Sequence, residues 1–443
     1  IRDRNSSDVE VNIKIALAPS MRDGSLPRPK RNKLLEAMTD TVADLVLKNN
    51  YEQSLTIRRT AQKGAANLSV QARLMESLEQ RGKLNRVVED LPSDEVIDER
   101  RASDQGLTRS EIGVVLAYTK IVLLEDLVAS NLLDDPYLEA VLMGSFPSRM
   151  QKTFVENIRN HRLRREIIGT VLANETVNKG SPSIISRFED ATGTLPAKIV
   201  QAYVVTRDAY KLTALHNAVD ALDNKISGER QLAIYDDLAN AQRNAISEYI
   251  KNSGGQSDLS AEVGHLSDAY ASLEPELRNI VPEYLQNWIK ERQAMFKEDG
   301  LSDTNARRLA QLPIAALTPD ILYVADRTGN DVSTAARAFF AVTSIFKIGR
   351  LEHLAERLDT EDYFDSLAQM RALDTIHYAR NAITAAALSG NKKDPEDAVV
   401  DWVEANKTRI SRVQERISDL TGQSELTVSR LTVAAGLLTD LVG

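Results

Sequence analysis

ISRFEDATGTLPAKIVQAYVVTRDAYKLTALHNAVDAL, residues 185–222, aligns without a gap on ILYVADRTGNDVSTAARAFFAVTSIFKIGRLEHLAERL, residues 321–358. Asp190, Thr192, Gly193, Ala202, Lys211 and Leu215 recur as Asp326, Thr328, Gly329, Ala338, Lys347 and Leu351, and the segments share eight identities in 38 positions. Hydrophobicity matches at most of the others, as expected of an internal duplication. The unit reads as a short helix, a Thr-Gly turn where glycine accepts the left-handed conformation, and a longer helix with Tyr203/Val204 or Phe339/Phe340 toward a core. Pro196 sits where the longer helix should begin, a position that tolerates proline. Convergence of two unrelated helix-turn-helix segments on one pattern is the competing account.

Outside the repeat the apolar spacing is helical almost throughout. Residues 33–53, KLLEAMTDTVADLVLKNNYEQ, repeat Leu, Met and Val every three or four positions, which predicts one amphipathic helix after a loop at 18–32. DLPSDEVIDERRASDQG, residues 90–106, reads as an acidic separator. Thr108 to Glu111 forms a capping box that opens an apolar helix running to about Ser130. A short helix near 134–147 and a long one over 152–180, ending at Gly180, follow. The expectation is an all-α array of two related halves linked at SGGQS, residues 253–257. NSSDVEVNIKIAL, residues 5–17, is ambiguous: Ser7 to Glu10 has capping-box spacing, whereas Val9, Val11, Ile13 and Ile15 alternate like a strand.

The chain of 443 residues exceeds what one core usually serves. Its net charge of −9 argues against nucleic-acid or anionic-membrane partners, whose binding draws on clustered Lys and Arg. The basic runs RPKRNK (28–33) and HRLRR (161–165) are short and read as solvated helix faces. With no cysteine, disulfides, thiol catalysis and Cys-ligated zinc are excluded. No apolar run approaches the ~18 residues that span a bilayer, so a cytoplasmic setting is expected.

Catalytic signatures are missing. No G-x-G-x-x-G follows a strand, and neither a P-loop nor a G-x-S-x-G elbow occurs. His161, His216, His265, His353 and His377 are scattered without a partner at ligand spacing, so each reads as structural or surface, and no metal or catalytic residue is assigned. Asp134-Asp135 and Glu361-Asp362 read as helix N-terminal charges.

The runs SSDVEVNIKI, RNKLLEAMTDTVADLVLKNNYEQ, LTRSEIGVVLAYTKI, DDPYLE, HRLRREIIGTVLANETVNKG and AYVVTRDAY resemble, in that order, the C-terminal part of the large bacterial NAD-specific glutamate dehydrogenases. The likeness covers nearly the whole chain. It implies that residues 1–55 end the catalytic domain, the terminal segment of an α/β nucleotide-binding fold, and that 56–255 and 256–443 are two C-terminal helical units. It also implies that NAD is bound mainly upstream, that the partners are the upstream catalytic domain of the same polypeptide and further copies of the chain, and that this part alone is inactive. A self-sufficient helical scaffold or effector-binding module is the alternative. Glutamate dehydrogenases start a helix with a serine that contacts the substrate's side-chain carboxylate, and Ser7 stands at that place; an ordinary N-cap is the equal competitor. The preceding IRDRN departs from the Asn-x-Ala-Gly-Val type of run expected there. The resemblance favours helix over strand for residues 8–17.

Overall fold

A computed structural model describes residues 6–252, 258–358, 362–391, 393–422 and 426–442. Among them there is no strand, and 25 α-helices carry the fold, so the all-α expectation holds. The chain divides into two compact units, Ile1–Glu189 with Thr194–Gln201, and Asp190–Gly193 with Ala202–Gly443. The expected link at 253–257 lies outside the described residues.

The first unit opens with α1 (Ser6–Arg22), which settles residues 8–17 as helix. Val9, Ile13, Ala16 and Leu17 are buried, a spacing of three and four that belongs to a helix, whereas Val11 is half exposed. The loop expected at 18–32 shrinks, because α1 continues through Pro19 and α2 (Arg28–Glu36) begins just after Pro27. The helix expected at 33–53 is likewise two, with a break at Ala37–Met38 before α3 (Thr39–Gln62).

The core of this unit gathers Leu74, Met75 and Leu78 of α4 (Leu68–Gln80), Ile97 of α5 (Asp94–Ala102), and Ile112, Val115 and Val122 of α6 (Arg109–Ala129). The α5 helix occupies the stretch expected to be a separator. Its signals are local: Ser93 accepts from the Val96 amide, Asp94 and Glu95 fill the first turn, and Arg100 and Arg101 the last. At the start of α6 the capping box forms as expected, with the Glu111 carboxylate accepting from the Thr108 amide at 2.7 Å. Gly106 is required by close approach, since a Cβ there would lie 2.8 Å from the backbone of Gly64.

The long helix expected over 152–180 is broken at His161. This residue is buried rather than on a solvated face; its Nε2 donates to the Asn12 carbonyl at 3.1 Å and its Nδ1 accepts from the Leu163 amide. Burial lowers its pKa, in keeping with a neutral ring. Arg165, also expected on a solvated face, donates to the carbonyls of Val128 in the last turn of α6 and of Ser130 just past it. The next helix, α7 (Arg164–Glu175), runs into a single π-helical stretch at 176–180. Gly180 is not left-handed. Instead, Thr56 Oγ1 shares its proton between the Glu52 carbonyl at 2.7 Å and the Asn178 carbonyl at 3.0 Å, and Arg59 donates to the carbonyl of Lys179 at 3.3 Å, so α3 helps satisfy the carbonyls that a glycine cap would have served.

The repeat is carried by matching backbones. The first copy is α8 (Ile184–Thr192), α9 (Pro196–Ala209) and α10 (Leu212–Asp220). After α11 (Gly228–Asn252) and four further helices comes the second copy: α12 (Thr318–Thr328), α13 (Val332–Ile345) and α14 (Ile348–Glu356). Gly193 and Gly329 both have φ +68°, the conformation only glycine adopts cheaply. The aligned Lys211 and Lys347 are also left-handed, at φ 50° and 53°, and each begins the third helix of its copy. Tyr203, Val204, Phe339 and Phe340 are buried as expected. In the second unit α15 (Tyr363–Leu388) packs against α12, α13 and the terminal helix, and α16 (Pro395–Ala405) and α17 (Lys407–Gly422) precede that last helix.

Candidate functional site: a buried charge network

Four helices of the second unit place charged side chains at one buried point. On α15, Asp374, His377, Arg380 and Asn381 stand three or four residues apart and so share a face. Glu248, Lys251 and Asn252 do the same near the end of α11. Asp320 lies in the first turn of α12, where the helix dipole favours a carboxylate, and Glu352 lies on α14.

His377 joins two of the acids: Nδ1 donates to Glu248 at 3.0 Å and Nε2 to Glu352 at 2.9 Å. Lys251 donates to Glu248 at 2.9 Å and also to Asp374. Arg380, with no exposed surface, donates to Asp320 at 2.9 Å and to Glu352 at 3.1 Å, and its guanidinium lies 4.2 Å from the centre of the Phe339 ring. Asp320, equally buried, accepts on its other oxygen from Asn252 at 2.7 Å and Asn381 at 2.6 Å.

Burial opposes ionisation of His377, Glu248, Glu352 and Asp320, and the neighbours decide the outcome. Burial would pull the His377 imidazolium down, but Glu248 and Glu352 outweigh it and push its pKa up to about 9. Burial likewise works against Glu248 and Glu352, yet His377 with Lys251 holds the first far below the carboxylate range, and His377 with Arg380 holds the second at about 2. Asp320 goes the other way. Burial and the Glu248 charge together exceed the help from Arg380, and its pKa rises to about 6. Among the described residues Glu248, Glu352, Asp320 and Asp374 thus face three cations, and Asp320 is the acid that takes up the surplus proton as pH falls.

Ligand atoms of Glu248, Asp320 and His377 lie within 4.8 Å of one another. The donor set does not fit a metal ion well, because both His377 nitrogens are engaged with carboxylates and Lys251 and Arg380 already neutralise the acids a cation would need. What the arrangement can do is fix four helices to one another and exchange one proton near neutrality. Reading by family signatures missed it. The signal was present as a polar stripe, Asp374, His377, Arg380, Asn381 and Thr384, on an otherwise apolar helix.

Ser7 lies in the first turn of α1, and its side chain is outside the described residues. Asp135 and Asp362 cap helices as expected, accepting from the amides of Tyr137 and Asp365, while Glu361 is outside the described residues. His265 pairs with Asp326 at the surface. NAD finds no cradle here: among the described residues no strand leads into a glycine-rich turn, so the residues present do not fit the pyrophosphate. Nor is any described helix long and apolar enough to cross a membrane.

Residues 104–440 match the family model described as glutamate dehydrogenase, C-terminal, and residues 3–60 the model described as bacterial NAD-glutamate dehydrogenase, catalytic domain. The chain is 32% identical over 437 residues to an NAD-specific glutamate dehydrogenase of Pseudomonas aeruginosa, covering 98% of this chain and 27% of that protein. Proteins of the same name from Halomonas elongata and Mycobacterium tuberculosis are 29% and 26% identical over 99% and 97% of this chain, and 27% and 26% of their own lengths. The chain therefore spans about a quarter of the length of these curated relatives.

Proposed function

This chain belongs to the glutamate dehydrogenase C-terminal family, and on that footing we propose that it is the C-terminal helical part of an NAD-dependent glutamate dehydrogenase. The whole enzyme would convert L-glutamate, NAD and water to 2-oxoglutarate, ammonium and NADH, in the cytoplasm. Residues 1–55 would complete the catalytic domain, and 56–255 and 256–443 would form two helical units that support the catalytic lobes, mediate contacts between copies, or regulate cleft closure. NAD would be held mainly upstream, and Ser7 would point a hydroxyl and a helix N-terminus at the substrate carboxylate.

The observation that carries this reading is the succession of two family matches in one chain, the end of a catalytic domain at 3–60 and a C-terminal region at 104–440. Hydride chemistry belongs to the cofactor, and the protein contributes orientation. A polypeptide of this kind should therefore supply geometry to a catalytic segment. The test is to mix the chain with a separately produced upstream catalytic segment and follow NADH. Activity that rises on mixing supports the proposal; a catalytic segment indifferent to the chain counts against it.

A further inference from the structure

The corner between α13 and α14 forms, together with α17, a pocket of about 170 Å³ that is partly open to solvent. Phe346, Leu351 and Ile417 give it apolar walls, while Lys347, Arg350 and Ser418 bring polar groups to it. Among the described residues neither Lys347 nor Arg350 has an ion-pair partner. Lys347 is moreover held in a left-handed conformation that costs a non-glycine residue ~1 kcal/mol or more. No side chain caps α14, which Lys347 opens.

We propose that this cavity binds a small organic acid, its carboxylate set between Lys347 and Arg350 and its hydrocarbon body against Phe346, Leu351 and Ile417. The size suits the class: a cavity of about 150 Å³ accepts a benzene ring. A bare inorganic anion would leave the apolar walls without contacts, and a neutral molecule would leave both cations unanswered. The same helix turns Glu352 inward to His377 and Arg380, so the cavity and the buried network lie on one element.

The test uses the 443-residue chain and three probes, benzoate, benzamide and inorganic phosphate, in ligand-observed NMR titrations. Benzoate should bind saturably and about tenfold more tightly than either of the others. K347G keeps the backbone conformation and removes one cation, and R350Q removes the other at an exposed position. Each should weaken benzoate about fivefold or more while the melting profile stays cooperative. The proposal is overturned if benzamide or phosphate matches benzoate, if neither variant changes benzoate binding, or if no probe binds saturably.

Discussion

Arg380 Nη2 lies 2.9 Å from Asp320 Oδ2, and neither side chain has any surface open to solvent. A buried pair of this kind adds little over an apolar substitute, but losing one member strands the other. D320N would set an amide against Arg380, Asn252 and Asn381, all of which donate to Asp320. It should destabilise the chain by about 3–5 kcal/mol, read from guanidinium unfolding. A loss within the error of the method would show that the pair carries no structural weight.

The bridge at His377 makes stability depend on pH in the alkaline range. Its folded pKa, about 9, is above the ordinary 6.5. The stabilisation is therefore complete below 6.5 and is lost as pH rises toward 9, where the unfolded chain gives up the proton that the folded chain keeps. At about 1.4 kcal/mol per unit the loss is about 3 kcal/mol. H377Q should start lower and flatten this slope; an unchanged slope would place the dependence elsewhere.

The left-handed Lys211 offers the opposite sign of change. Its side chain is exposed and its backbone is strained, so K211G should raise stability by about 0.5–1 kcal/mol despite the entropy that glycine brings to the unfolded chain. The readout is the shift in unfolding midpoint. A destabilised K211G would mean that the lysine side chain earns its conformation through contacts.

In the first unit, T108A should cost about 1 kcal/mol, because Thr108 Oγ1 caps the Glu111 amide. E111A should cost more. It removes both the return bond to the Thr108 amide and a forked pair with Arg100 at 2.7 and 2.9 Å. Equal losses in the two variants would contradict this order.

Much of the fold was legible because helices announce themselves locally. The capping box at Thr108 and the Thr-Gly turn at Gly193 and Gly329 follow from spacing within a few residues, and the repeat from a gapless alignment, whereas for residues 8–17 local spacing pointed both ways and the family resemblance tipped the reading to helix. Misreadings came where a long-range partner overrode local signals. Gly180 did not cap its helix because Thr56 and Arg59, more than 110 residues away in sequence, took up the free carbonyls. His161 left the expected helix face for the Asn12 carbonyl. The α5 helix was the exception, since its cap and charges were visible and composition was allowed to outweigh them. The charge network was hardest to foresee, because Glu248, Asp320, Glu352 and His377 come from four helices and only the stripe on α15 is local.

The central proposal is that this polypeptide supports glutamate oxidation without performing it. The most direct measurement is NADH formation by the isolated chain supplied with L-glutamate and NAD, with NAD binding followed in parallel. The account predicts no turnover and no saturable NAD binding; steady glutamate-dependent NADH production by the chain alone would contradict it.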